Sequence, residues 1–341
     1  MNPLIYALLI SALSTSTIIT MASNHWLLAW LGLELNTLSI LPIIMKPNHP
    51  RSTEATTKYF LVQATAATLI LCATTINAWQ TGQWTIMYTP HPLTTTLFIT
   101  AISLKLGLAP AHLWYPDVIQ GSELLTALII STWQKIAPLT LLMLTHNHLI
   151  TPLMMLLGLA SALVGGWAGL NQTQTRKIMA FSSIAHMGWL TMALSLNQTL
   201  TTLTLLLYIL MTTAIFLPLM MTTTKTISDM GTAWPTSPPL MTMTMLTLMS
   251  LGGLPPLTGF MPKWLIMKEL VSLPALSTTM LMASLPSLFF YTRLAYMTMM
   301  TIPPATTSTE YKWRLNMKLK PNMALLSPLA LLLLPLTPLL Y

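Results

Sequence analysis

Charge is what this sequence has least of. Only 6% of its 341 residues are Asp, Glu, Lys or Arg, against about 25% in a typical soluble domain. A soluble chain of this length could bury a core, but it would have little material for a polar surface. The mean hydropathy of +0.67 agrees. The class is a polytopic, all-α membrane protein. Cysteine is nearly missing too. Cys72 stands alone, so there is no intrachain disulfide, no four-cysteine zinc site and no cysteine-held iron–sulfur cluster. Neither a GxGxxG nor a Walker A loop occurs, which argues against nucleotide binding by this chain. The net charge of +8 is spread too thinly to make a nucleic-acid face, and no nucleic-acid fold signature accompanies it. The first segment has no basic n-region, so it reads as a mature membrane helix rather than a signal peptide.

Long apolar runs are what the chain does have. A hydrocarbon core takes about 20 mostly apolar residues per helix. That window gives eleven segments, near 3–21, 25–45, 57–79, 93–114, 122–145, 149–170, 176–196, 199–222, 238–273, 275–297 and 323–340. Threonine is frequent inside them, because its hydroxyl can bond the preceding turn of its own helix. The basic residues support the count. With the N-terminus and every second loop on one side, that side holds Lys46, Arg51, Lys58, Arg176, Lys177, Lys225, Lys312, Arg314, Lys318 and Lys320, with Arg293 at an adjoining helix end. The alternate loops hold no Lys or Arg, which is the positive-inside pattern.

Two segments contain helix breakers. "LGLAPAHLW" (106–114) has Gly107 and Pro110, and "LGGLPPLTGF" (251–260) has Pro255 and Pro256. Proline lacks the N–H a helix needs, so the backbone must unwind there. Gly107-Leu108-Ala109-Pro110 matches Gly253-Leu254-Pro255-Pro256 at an offset of 146. Each break falls in the fourth of five segments. The expected organisation is therefore two inverted five-helix repeats, 1–148 and 149–297, each with a broken helix. A basic loop (298–322) and a C-terminal transmembrane helix (323–341) follow. Inverted repeats with broken helices are a transporter signature.

Four lysines do not fit the loops. An ammonium in mid-membrane costs roughly 2.5–3.5 kcal/mol on insertion scales, so it should face water, a carboxylate or the protein interior. Lys105 and Lys135 lie about ten residues from either segment end, too deep to snorkel. Lys263 follows the second break, and Glu34 lies mid-segment in "WLGLELNTL". Burial disfavours the charged form of either group and pairing favours it, so a buried Lys–Glu row can exchange protons as its spacing or hydration changes. Lys268, beside Glu269 near a segment end, reads as an interfacial ion pair. His186 could relay protons or could be a core histidine bonded to a hydroxyl. His112, after the first break, could line water. His146 and His148 lack a third metal ligand and read as solvent-facing. Asp117 and Glu123 sit at a helix junction, where carboxylates favour a helix start.

"SLKLGLAPAHLWYPDV", "QKIAP", "TRKIMAFSSIAHMGW" and "LGGLPPLTGFMPKW" together resemble the antiporter-like membrane subunits of respiratory NADH dehydrogenase (complex I), in the eleven-helix form of animal mitochondria. The resemblance implies proton translocation, with Glu34 as the mid-membrane glutamate and Lys105 as its partner lysine. It makes Lys135 the connecting lysine and Lys263 the lysine nearest the exit. Bacterial members carry a lysine in the seventh segment, where this chain has His186. The resemblance also implies the mitochondrial inner membrane, with basic loops toward the matrix and other membrane-arm subunits and lipid as partners. NADH, FMN, iron–sulfur clusters and ubiquinone would be handled by other subunits. A stand-alone cation/proton antiporter and a non-pumping structural subunit are the competing expectations.

Overall fold

The structure is a computed structural model that describes residues 2–89, 91–235, 237–299, 310, 330–331 and 333–336. The expected 298–322 loop, with Lys312, Arg314, Lys318 and Lys320, and the 323–341 segment lie almost wholly outside the described residues. Every regular element among the described residues is helical, apart from two isolated bridges, His25 with Thr85 and Gln174 with Thr226. Among the described residues seven spans are long and apolar enough to cross a membrane, with Leu124–Leu144 taken as one. The chain divides into two compact units, Met1–Ser161 and Ala162–Tyr341.

The first unit opens with α1 (Pro3–Ala22), whose start is fixed by Pro3 and by the Asn2 side chain accepting from the Leu4 N–H. It packs on α2 (Trp26–Met45). Gly32 allows the close approach, since a Cβ there would lie 2.5 Å from Thr20 Cγ2 and 3.1 Å from the Ser16 carbonyl. Small residues serve this purpose in lipid, where apolar burial alone does not drive helices together. α3 (Pro50–Thr81) has 32 residues and starts earlier than the sequence suggests, because His49 and Ser52 form a capping box around Pro50. Arg51 and Lys58 are therefore helical rather than in a loop. At 1.5 Å per residue α3 is about 48 Å long, more than the ~30 Å hydrocarbon core.

The expected 93–114 segment is not one helix. α4 (Pro92–Leu106) stops at Gly107, which is left-handed at φ +71°. The Gly107 N–H donates to the Leu104 carbonyl and the Leu108 N–H to the Ser103 carbonyl, a Schellman ending that glycine accommodates without strain. The chain turns through the cis Ala109–Pro110 peptide and resumes as α5 (Trp114–Gly121). The expected 122–145 helix is also interrupted. α6 (Leu124–Ser131) and α7 (Trp133–Leu144) meet at Thr132, with φ −111° and ψ −68°. Pro138 adds a disturbance inside α7: it has no N–H for the Gln134 carbonyl, and its ring crowds that same carbonyl. α8 (Thr151–Gly169) follows a short turn at His146–His148. The division between units falls inside α8, not in the loop before it. Gly165 belongs with the second unit: a Cβ on it would lie 2.6 Å from the Ala185 amide.

In the second unit α9 (Thr175–Leu196) is the most enclosed span. α10 (Gln198–Thr222) packs beside it. A short α11 (Ile227–Ala233) follows, which the apolar-window reading passes over. Its signal is the Thr226/Asp229 capping box. α12 (Pro238–Gly252) ends at Gly253, left-handed at φ +85°. α13 (Phe260–Glu269) and α14 (Pro274–Thr298) complete the unit. The expected 238–273 segment thus opens over residues 253–259. Gly259 lies so close to the Ser250 carbonyl that a Cβ has no room. Hydroxyls inside the spans bond back to their own helices, as Thr20 does to the Thr17 carbonyl at 2.7 Å and Thr191 to the Gly188 carbonyl at 3.0 Å.

Two predictions follow from this architecture. Cys72 is exposed in the middle of the apolar α3, so it faces lipid. A membrane-permeant maleimide should label it, and an impermeant reagent should not from either side; labelling by the impermeant reagent would show that this face of α3 is wet. The Asp229 carboxyl is held below the ordinary carboxylate range. Burial alone would raise it, but hydrogen bonds from Thr226 and Lys225 outweigh that. A lowered folded-state value means that the cap stabilises α11 above the unfolded aspartate range and fades as pH falls through the lowered value. Protection of the Lys225 and Thr226 amides, relative to the intrinsic exchange rate at each pH, should be high near neutral pH and fall below about pH 4; protection that does not change with pH would remove Asp229 from the cap.

Candidate functional site

The break after α4 brings two lysines to one cavity in the first unit. Lys105 stands in the last turn of α4, two residues before Gly107, and Lys135 stands in the first turn of α7. Both are buried, at 6% and 3% exposure. A cavity of about 10 Å³ has Lys105, Lys135, Tyr59, Tyr115, Gln134 and Asn36 in its wall. That is close to the room one water needs. Polar side chains cross it. Gln134 Nε2 donates to Asn36 Oδ1 at 3.0 Å, and the Tyr59 hydroxyl lies 3.4 Å from Gln134 Oε1. These contacts join α2, α3 and α7. Gln63 Nε2 reaches the Lys105 carbonyl at 3.4 Å. Lys135 Nζ sits 4.7 Å from the Tyr115 ring centroid, a cation–π contact. The Lys105 ammonium is buried and has no hydrogen-bond partner among the described residues.

The other expected residues of this unit are not in the cavity wall. Glu34 is half-buried on α2; the Thr37 hydroxyl donates to its backbone carbonyl at 2.8 Å and lies 3.3 Å from its carboxylate. Among the described residues it forms no ion pair with Lys105, since the described ion pairs are those of Lys58. The expected Glu34–Lys105 contact is corrected accordingly: the Glu34 side chain lies outside the cavity wall that holds Lys105. His112 lies in the turn between α4 and α5, with Nδ1 3.2 Å from the Pro110 carbonyl, and is not in the cavity wall. Asp117 is more than a helix-start carboxylate. It pairs with Lys58 Nζ at 2.8 Å, while Glu54 holds the same ammonium at 2.7 Å. Lys58 thereby ties α3 to α5 just past the break. His148 Nε2 meets the Met87 carbonyl at 2.8 Å. Among the described residues no three His, Cys, Asp or Glu side chains come together as a metal site.

The second unit solves the same problem differently. Lys263, one turn into α13, reaches back so that Nζ donates to the Gly252 carbonyl at 2.8 Å. That carbonyl lies at the end of α12, where the helix no longer supplies a partner. His186 sits midway along α9. Its Nε2 is 3.2 Å from the Tyr291 hydroxyl of α14, and its ring lies 5.8 Å from that of Tyr208 on α10.

The chain is similar to known proteins over nearly its whole length. Residues 23–290 match the family described as NADH:quinone oxidoreductase/Mrp antiporter, TM. The chain belongs to that family. Residues 288–341 match a second family, NADH dehydrogenase subunit 2 C-terminus. Among curated relatives, NADH-ubiquinone oxidoreductase chain 2 of Carassius auratus is 53% identical, over 99% of this chain and 98% of the relative. The protein of the same name from Gallus gallus is 51% identical over 99% of each. Among solved structures, a chain of respiratory complex I from Thermus thermophilus has 26% identity and a TM-score of 0.84, covering 98% of this chain and 80% of that one. A chain of the Mrp complex from Dietzia has 17% identity and a TM-score of 0.78, covering 88% and 61%; that likeness concerns the fold alone.

Within this family fold, the first unit brings together Lys105 and Lys135 but not Glu34 or His112. The sequence reading missed Tyr59, Gln134 and Asn36, which carry the polar contacts across the cavity. Gln134 had a signal, since Pro138 follows four residues later and disturbs the helix at that point. Asn36 lies two residues after Glu34 and gave no sign of its own. Gln134→Leu keeps the volume but strips Asn36 and Tyr59 of a partner. Leaving a buried polar group unsatisfied costs about 1–3 kcal/mol, so the thermal stability of the unit should fall. Gln134→Glu should lose less, because its carboxyl group can still accept from Tyr59. Equal stability of all three forms in a melting assay would show that the amide network contributes nothing.

Proposed function

We infer that the chain is an antiporter-like subunit in the membrane arm of respiratory NADH:ubiquinone oxidoreductase. In this reading it moves protons through Glu34, Lys105, Lys135 and Lys263, with His112 and His186 as relay groups. The observation that carries the reading is the pair of buried lysines, 105 and 135, in the wall of one polar cavity between them. Two like cations buried side by side gain nothing as structural anchors. They suit a site where one gives up a proton as the other takes one, and a water in the cavity would give Lys105 its missing partner. Glu34 sets the local field from outside the cavity. His112 directs Nδ1–H at the Pro110 carbonyl, which leaves Nε2 to exchange a proton.

The two-repeat organisation, 1–148 and 149–297, is part of the proposal. α4 and α12 have 15 residues each, begin with proline and end at a left-handed glycine in the same Schellman pattern. Their boundaries differ by the same offset of 146 as the sequence match. The bridges at His25 and Gln174 add a similar clasp ahead of each repeat's second helix. The seven long apolar spans, the two broken segments and α14 make ten crossings, and 323–341 supplies an eleventh in this reading. The identities above favour the mitochondrial inner membrane, with the N-terminus and the basic loops toward the matrix. The partners are other membrane-arm subunits, lipid and protons. The catalytic part played by this chain is proton translocation, while NADH, FMN, iron–sulfur clusters and ubiquinone are handled by other subunits. A stand-alone cation/proton antiporter would share the fold but would work alone in liposomes. A structural spacer would tolerate loss of its lysines.

Lys105→Met separates these readings, since it keeps the length and removes the charge. The assembled complex should lose coupled turnover on the order of a hundredfold or more, the low end of what a positioned proton-transfer group contributes. The measurement is proton uptake per NADH oxidised in reconstituted vesicles, with assembly checked on native gels. Normal uptake from an assembled Lys105→Met complex would make the lysine structural and end the proposal.

A further inference from the structure

A second polar cavity, of about 200 Å³, lies at the start of α3 in the first unit. It is far larger than the one-water space beside Lys105, and the two share no wall residue. Its wall follows helical spacing. Arg51, Glu54, Ala55 and Lys58 lie on one face of α3, and Asp117 and Gly121 lie on one face of α5. Small residues let the two helices meet: a Cβ on Gly121 would lie 2.7 Å from both the Ala55 Cβ and the Arg51 carbonyl oxygen. The rest of the wall is charged. Lys58 Nζ stands between Glu54 Oε1 at 2.7 Å and Asp117 Oδ2 at 2.8 Å. One ammonium between two carboxylates leaves a net negative charge, and Glu54 Oε2 and Asp117 Oδ1 keep lone pairs to offer. Arg51, about one turn before Glu54, is exposed and forms no ion pair among the described residues. Its guanidinium makes the groove neutral in sum but dipolar.

One face of α3 leads from this groove into the apolar part of the helix. Glu54, Lys58, Leu61, Thr65, Thr68 and Cys72 follow one another at three- and four-residue spacing, and all are exposed or half-exposed. The Thr65 and Thr68 hydroxyls are bonded at 2.8 Å to carbonyls of their own helix, which leaves methyl groups beside Leu61 for lipid. Residues 58–68 span about 15 Å of helix, half of the ~30 Å hydrocarbon core and so the depth of one leaflet. A phospholipid lying along this stripe has its head group at the groove. We propose that the groove between α3 and α5 binds the head group of an ethanolamine phospholipid, with its phosphate on Arg51 and its ammonium on Glu54 and Asp117. Charge complementarity makes the choice. A zwitterion meets both signs of the groove, whereas an anionic head group leaves the two carboxylates unanswered. A choline head group has no N–H to donate, so the free carboxylate oxygens gain no charge-assisted hydrogen bond from it. The site is separate from the proposed proton path and holds whether or not Lys105 carries protons.

The test places the assembled complex in phosphatidylcholine vesicles doped with phospholipid analogues. These carry one photoreactive acyl chain on an ethanolamine, a choline or an anionic glycerol head group, and crosslinked peptides are located by mass spectrometry. The ethanolamine analogue should label the 61–72 stripe most strongly. Arg51→Gln should lower that yield roughly two- to five-fold, the range of an exposed ion pair. Glu54→Gln leaves the Asp117–Lys58 pair in place and makes the groove cationic. It should move the preference from the ethanolamine toward the anionic head group, a switch that a purely structural role of Glu54 does not produce. Should Arg51→Gln fail to assemble, Glu54→Gln decides alone, since its side chain is exposed. Equal labelling by the three analogues in the unaltered chain overturns the proposal, as does an unchanged preference in Glu54→Gln. Labelling of a neighbouring subunit in place of the stripe overturns it too, because protein then covers the groove. Displacement by free phosphoethanolamine at a concentration below that of the lipid assigns the groove to a soluble ligand and ends the lipid reading.

Discussion

An ammonium group kept inside a bilayer is the constraint on which the rest of this molecule depends. Lipid offers it nothing, so the protein must supply dipoles, an aromatic face or room for water. An intact helix has no backbone groups to give, since its carbonyls are spent on its own N–H groups. The two left-handed glycines, Gly107 and Gly253, are the physical answer. Each ends a helix inside its unit, leaving carbonyls and space beside a lysine. Around Lys105 and Lys135 the surroundings are an amide pair, phenols and a small cavity. Beside Lys263 they are a bared carbonyl.

The difference between the units matters to the chemistry. Lys263 has a fixed partner in a backbone oxygen that cannot titrate or move far. Lys105 has none among the described residues and borders a cavity, so its environment changes most easily when water enters or leaves. Lys135 lies between these extremes, held by the face of Tyr115. The three lysines thus have surroundings of graded rigidity, which three identical ion pairs would not provide.

The sequence made the large features legible because they rest on strong, local physics. Apolar windows located the spans. Glycine and proline located both broken helices, and depth picked out Lys105, Lys135 and Lys263. What stayed hidden depends on contacts between elements far apart in the chain. Glu34 and Lys105 look like a pair in a linear reading, yet Glu34 lies outside the cavity wall to which Lys105 belongs. Asp117 looks like a helix-start residue, yet Lys58 reaches it from 59 residues away. The cavity wall is built from ordinary residue types, Asn36, Tyr59 and Gln134, which signal nothing until three helices bring them together. The disturbance inside α7 was partly legible, since Pro138 is visible, but a proline marks a disturbed turn without saying which residue yields.

The offset of 146 that superposes Gly107 on Gly253 also superposes Asp117 on Lys263 and Lys105 on Leu251. The backbone design recurs while the charges do not. Where one unit carries an anion clamped to a surface lysine, the other carries a half-buried lysine. Where one carries its key ammonium, the other has a plain hydrocarbon. The frame is thus indifferent to the sign of the charge it bears, because what it provides at each break is a vacated stretch of main chain and not a pocket shaped for one ion. Two helices of the same length, with the same proline start and the same glycine ending, can in this way be electrically unlike.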